Sequence, residues 1–115
     1  MTAPRPRITY HLVPEPAWTA LGAADDYRPD SLATEGFVHC TDGVAELCAT
    51  GDRYYAADPR PYLVLAIDLE RVGEWRFDDP ERRFPHVYGP IPRPAIVRVS
   101  PAPRSPDGRF LPFAG

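Results

Sequence analysis

The chain has 115 residues with 13 basic and 16 acidic side chains, a net charge of −3. That length holds one domain with one core rather than two ordinary ones, and the charge leaves no electrostatic footprint for duplex nucleic acid. No apolar run approaches the ~20 residues that cross a bilayer, so no membrane span is expected.

The apolar and charged fractions, 43% and 25%, are those of an ordinary globular protein. MTAPRPRITYHL has neither the apolar stretch nor the cleavage site of a secretory leader. Two cysteines without such a leader predict reduced thiols and a cytoplasmic protein. All 13 basic residues are arginine, whose planar fork suits carboxylate and phosphate.

In chain order, RITYHLV (7–13) alternates, is β-branched and stops at Pro14, which predicts a first strand. Trp18 and Leu21 then share one face of a short helix from Pro14 to about Ala24. SLATEG suits one helical turn closed by Gly36. FVHCT is read as a five-residue strand, after which Thr41 or Asp42 caps a helix over about 43–56. Val44, Leu47, Cys48 and Tyr55 line that helix, and Gly51 weakens its interior. PYLVLAIDL (61–69) is a continuous apolar run, hence a central strand buried on both faces. EWRF (74–77) and AIVRVSPAP (95–103) are further strands. DDPERRFPHVYGPIPRP (78–94) is a long proline-rich loop, and about 101–115 is an extended tail. Short strands outnumber helices and do not alternate with them. The expected fold is α+β: a single small domain over 1–115, a split and mostly antiparallel sheet, and two or three short helices.

Only three histidines occur, each in an apolar or aromatic setting: His11 in TYHLV, His39 in FVHCT and His86 in FPHVYG. A buried imidazole needs a partner for each ring nitrogen, so three such positions suggest one shared pocket. Three chemistries remain open. Zinc would draw on His11, His39, His86, Cys40 and Cys48, at spacings that match no known finger. Cys40 could be a nucleophile with a histidine base, although His39 and Cys40 point to opposite faces of a strand. The third is a cleft for a nucleotide-like ligand, with hydroxyls held by imidazole and a base stacked on aromatic rings. Its phosphate would meet the strand–helix junction Thr41-Asp42-Gly43, or Arg28 because Asp42 repels anions. Trp18 and Phe37 are assigned to packing. Arg82, Arg83 and Arg93 flank the proline-rich loop and could serve an anion.

YHLVPEPAW (10–18), YRPDSLATEGFVHCT (27–41), LVLAIDLERVG (63–73), FPHVYGPI (84–91) and PDGRF (106–110) together resemble the domain-of-unknown-function family 952 over nearly the whole chain. That family is grouped by fold with ADP-ribosyltransferases and RNA 2′-phosphotransferases, which grip NAD or an ADP-ribosylated intermediate in a split β-sheet. The resemblance implies that His11, after Tyr10, holds ribose and the nicotinamide amide. It places His39 where nicotinamide stacks, with Thr41 beside it, and His86 and Tyr88 closing the cleft. Many transferases carry a glutamate at the third position, whereas FPHVYGPI offers no acid and Glu74 and Glu81 read as solvated charge. Loss of such an electrostatic group costs roughly 10²–10³ in rate. The expectation is a nucleotide-binding cleft, with NAD as a possible substrate rather than a certain cofactor. The alternatives are a non-enzymatic nucleotide or ADP-ribose binder and a histidine/cysteine enzyme on a small metabolite.

Overall fold

Seven consecutive buried residues, Tyr62–Asp68, form strand β4 at the centre of a three-stranded antiparallel sheet in the computed structural model, which describes residues 7–22 and 26–114. Strand β1, Ile8–Pro14, runs along one side of β4 with Ile8 opposite Asp68 and Pro14 opposite Tyr62. Strand β8, Ile96–Pro101, lies on the other side. The unbroken apolar run is explained by a core on each face of the sheet. Leu63, Leu65 and Ile67 enter one cluster with Val13, Tyr27, Val38, Cys40 and Val87. Tyr62 and Val64 enter a second with Leu12, Leu47 and Phe110.

Two further sheets complete the split. Strands β3 (Val38–His39), β6 (Pro85–Val87) and β5 (Trp75–Phe77) form one in the order β3-β6-β5. Strand β2, Asp26–Tyr27, pairs with β7, Ile91–Pro92. Every pairing is antiparallel. A single bridge joins the first sheet to β3's end, where Tyr10 and Thr41 exchange amide hydrogen bonds of 3.0 and 2.7 Å.

Among the described residues the α-helices are α1 (Glu15–Leu21), α2 (Asp30–Thr34) and α3 (Val44–Tyr54). Pro16 falls in the first turn of α1, where its missing N–H costs nothing. The helix ends at Gly22, and Ala24, where the sequence pattern put its end, lies outside the described residues. Gly36 follows α2 with φ 87°, as a helix-closing glycine does.

Four expectations need correction. FVHCT forms only a two-residue strand, and Thr41 beyond it turns its amide to Tyr10 on β1. The 78–94 segment is not wholly irregular: its PHV and IP pieces become β6 and β7, and Pro85 is tolerated as the first residue of its strand. Helix α3 is entered through Gly43 at φ 88° with no side-chain cap, since Asp42 is held by Arg7 at 2.6 Å. Phe37 is only half-buried and stacks on His86 with ring centroids 4.0 Å apart. Alternation puts it on the outward face with His39 rather than in the core.

Gly51 has a packing reason. A Cβ built there would lie 2.5 Å from the Phe110 ring, which the C-terminal tail lays across α3. Gly51→Ala should therefore cost about 1–2 kcal/mol, overpacking of roughly 1–3 kcal/mol outweighing the ~1 kcal/mol that alanine gains in a helix. Urea denaturation reads this directly, and a stabilised variant would show that the ring moves aside freely.

Candidate functional site

A cleft of about 570 Å³ opens between β1, α1, α2, β3 and α3. Tyr10, His11, His39 and Thr41 line it, so four of the six positions singled out in the sequence meet there. His86 and Tyr88 do not line it; they stand on the outer face of the β3-β6-β5 sheet.

His11 is the best-defined member. It is 7% exposed, with Nδ1 2.6 Å from the His39 carbonyl oxygen and Nε2 2.7 Å from the Tyr27 hydroxyl. A carbonyl can only accept, so Nδ1–H donates to it and the Tyr27 O–H donates to Nε2. Burial lowers the His11 pKa from 6.5 to about 4, against the partial support of the His39 carbonyl. The imidazole is therefore neutral and spends both nitrogens inside the protein. The role expected of it, hydrogen bonding a ribose, finds no free ring nitrogen in this arrangement. Tyr27 itself is fully buried, and desolvation pushes its phenol well above the ordinary range. Tyr27→Phe would leave His11 Nε2 without a donor and should destabilise the fold by about 1–3 kcal/mol, read as a shift of the urea midpoint. An unchanged midpoint would mean that water replaces the phenol.

His39 occupies the rim, with half of its side chain exposed. Its Nε2 lies 2.7 Å from Glu35 Oε2, four residues earlier, and Glu35 also lines the cleft. The sequence reading passed over Glu35. Its signal was present: a carboxylate just before the glycine that turns α2 into β3, in the same EGFVHC stretch as the histidine.

Cys40 is 1% exposed on the core side, and burial pushes its thiol far above the usual value. A thiolate nucleophile at that position is disfavoured. The junction at Asp42 is also ill-suited to phosphate, because Asp42 pairs with Arg7 and Glu46 occupies the first turn of α3. Arg28 at the cleft is the better-placed cation: it is 64% exposed, and its contact with Asp26 is a long 3.8 Å. Trp18 packs against the core and is covered by the Arg93 guanidinium at 4.4 Å, as its assignment to packing requires.

Outside the cleft, His86 Nδ1 lies 2.8 Å from Asp78 Oδ2, and the Tyr88 hydroxyl donates to the same oxygen. Those bonds, Tyr88's first, hold Asp78 below its ordinary pKa, with Arg76 adding to them. Among the described residues, no three His, Cys, Asp or Glu side chains gather as metal ligands.

The fold and cleft define a small α+β protein with antiparallel sheets and a largely apolar groove that carries His11 and His39. The chain belongs to the family described as protein of unknown function (DUF952), whose profile matches residues 12–99. Among solved structures, the chain is similar to the crystal structure of protein CC0527 from Caulobacter crescentus. That likeness has a TM-score of 0.74 at 22% identity and covers 91% of this chain and 94% of that one. The solution structure of the same protein gives 0.68 at 20% identity, covering 89% and 90%. At these identities the likeness is one of fold. Among curated proteins there is no match to the sequence.

Proposed function

We propose that the cleft binds a nucleotide-type ligand, NAD or an ADP-ribosylated or phosphorylated nucleotide, in an ADP-ribosylation-like fold. The observation that carries this reading is the convergence of His39, Thr41 and Tyr10 on one groove of about 570 Å³. That volume lies within the range of small-molecule and cofactor sites. The wall supplies what each part of such a ligand needs. Tyr55 offers a flat surface for a base, His39 and Glu35 on the rim meet ribose hydroxyls, and Arg28 meets phosphate. Glu35 also supplies the negative charge that FPHVYGPI lacks, which favours a cleft with transferase-like chemistry over a purely passive binder. Cationic character at an anomeric carbon is stabilised by a nearby carboxylate.

Thermal denaturation with ADP-ribose and with NAD tests the reading. A ligand at 100 times its Kd, bound only by the folded state, adds about 2.7 kcal/mol of stability. The expected result is an upward shift with wild type that shrinks in Arg28→Ala. No shift with ADP-ribose, NAD or a mononucleotide at millimolar concentration would remove the nucleotide assignment. Nicotinamide release from NAD by wild type but not by Glu35→Gln would separate enzyme from binder.

A further inference from the structure

The outer face of the second sheet carries a feature that ligand binding in the cleft does not use. His39 and His86 are register partners on β3 and β6, and their rings are 5.3 Å apart. The Cys40 amide donates to the Pro85 carbonyl at 3.0 Å, so the two histidines form a non-hydrogen-bonded pair, the position where cross-strand side chains approach most closely. Each imidazole is also oriented by its own carboxylate. Glu35 takes Nε2–H of His39, and Asp78 takes Nδ1–H of His86. Ionised carboxylates only accept, so the opposite nitrogen of each ring, Nδ1 of His39 and Nε2 of His86, is left with a lone pair. Among the described residues neither nitrogen has a hydrogen-bond partner.

We propose that His39 and His86 form a general acid–base pair that cleaves a ribonucleotide phosphodiester held in the cleft. The proposal rests on the reading of the cleft as a nucleotide site. An in-line displacement at phosphorus needs a base on the entering oxygen and an acid on the departing one, and two carboxylate-oriented imidazoles can take those two parts. His39 is the base, because it stands on the cleft rim where a ribose would lie. Its Nδ1 takes the proton of the 2′-hydroxyl, the 2′-oxygen forms a bond to phosphorus, and the bond from phosphorus to the departing 5′-oxygen breaks. Protonated His86, outside the cleft, gives its Nε2 proton to that oxygen. The products are a 2′,3′-cyclic phosphate and a free 5′-hydroxyl, with protonated His39 and neutral His86. Water then opens the cyclic phosphate with the roles reversed, which restores both histidines and requires no metal or redox partner.

The surroundings fit this division of labour. Glu35 lies 2.7 Å from His39 Nε2, facing the imidazolium that forms in the first step, and Asp78 at 2.8 Å from Nδ1 orients the His86 ring so that its Nε2 carries the proton to be given. Arg76 lies 3.1 Å from Asp78 and 4.2 Å above the Tyr88 ring, so it adds positive charge beside the path of the leaving group. Phe37 stacks on His86 and meets His39 edge-on at 4.7 Å, which holds both rings in place and leaves an aromatic surface for the second base.

The experiment is cleavage of the dinucleotide uridylyl-3′,5′-adenosine by purified protein in a chelating buffer, followed by chromatography. The 2′-deoxy analogue and His39→Gln and His86→Gln preparations made identically are run alongside. The expected result is a cyclic-phosphate product from wild type only, with each glutamine variant slower by roughly 10²-fold or more and the deoxy analogue intact. His39 is half exposed, so its variant should keep the wild-type melting temperature, whereas His86 is 17% exposed under Phe37 and its variant's melting temperature is measured alongside. A variant that loses it is replaced by Glu35→Gln or Asp78→Asn, which should slow cleavage to a smaller extent. Wild type that leaves the dinucleotide intact, cleaves the deoxy analogue, or cleaves at the rate of His86→Gln would overturn the proposal. If ADP-ribose still raises the melting temperature in that case, the cleft reading stands and only the acid–base pair fails.

Discussion

Acidification from pH 7 towards pH 4 should remove about 3 kcal/mol of folding stability through His11 alone. The unfolded imidazole takes up its proton near pH 6.5, the folded one only near pH 4. Between those values the unfolded chain holds more protons, so stability falls as the pH falls. The contribution is complete above about pH 6.5 and is lost progressively down to the folded value. The physical cause is burial: a charged ring enclosed by Tyr27 and β3 has no water, and the His39 carbonyl compensates only in part. Urea denaturation at a series of pH values, comparing wild type with His11→Asn, isolates the effect. His39, His86 and every carboxylate are retained in both proteins, so their titration cancels in the comparison. The expected result is a wild-type curve that drops towards the variant's between pH 6.5 and 4. Parallel curves across that window would mean that water reaches the ring and that His11 titrates like an exposed histidine.

A second large effect is expected at Arg104. Its guanidinium makes six hydrogen bonds to the carbonyls of Tyr55, Ala56, Asp58, Arg60 and Gly108, and it lies 4.5 Å over the Phe110 ring. No carboxylate takes part, so the residue acts as a staple between the end of α3, the turn before β4 and the tail. Its charge also complements the carbonyl end of α3. Arg104→Ala should cost about 3 kcal/mol, because charge-assisted bonds are each worth more than neutral ones and the partly buried carbonyls lose their donor. Arg104→Lys should recover only part of this, since one ammonium cannot span five carbonyls. Urea midpoints measure the cost, and limited proteolysis between residues 104 and 114 reports whether the tail has come loose. A loss below about 0.5 kcal/mol would show that Phe110 packing alone anchors the tail.

Much of the architecture was legible because hydrophobic period is a local property. LVLAID at β4 could only be a strand buried on both faces, and two cores now meet it. The alternation in FVHCT likewise separated Cys40 from His39 correctly. Strand ends and partners were less legible, because they depend on what lies opposite. Thr41 bridges Tyr10 across two sheets, and PHV became a strand only because β3 and β5 flank it. Proline content marked 78–94 as a rigid connection but could not reveal the pairing.

The candidate site divides along the same line. Residue chemistry alone drew attention to His11, His39 and His86, since an imidazole in an apolar setting must find partners. The same chemistry raised the idea of a nucleotide cleft, and family resemblance assigned roles within it. Only the tertiary structure could sort the three. It buried His11 as a neutral tie between β1, β2 and β3, set His39 on the rim against Glu35, and turned His86 outward against Asp78. The sequence by itself determined one small α+β unit, its central strand and the presence of unusual polar residues in EGFVHCTD. Which nitrogens of His11 and His86 are occupied, and by what, was decided by contacts between residues 8 to 28 positions apart. Those contacts leave no trace in local periodicity, because burial and hydrogen bonding of an imidazole depend on the chain that folds over it.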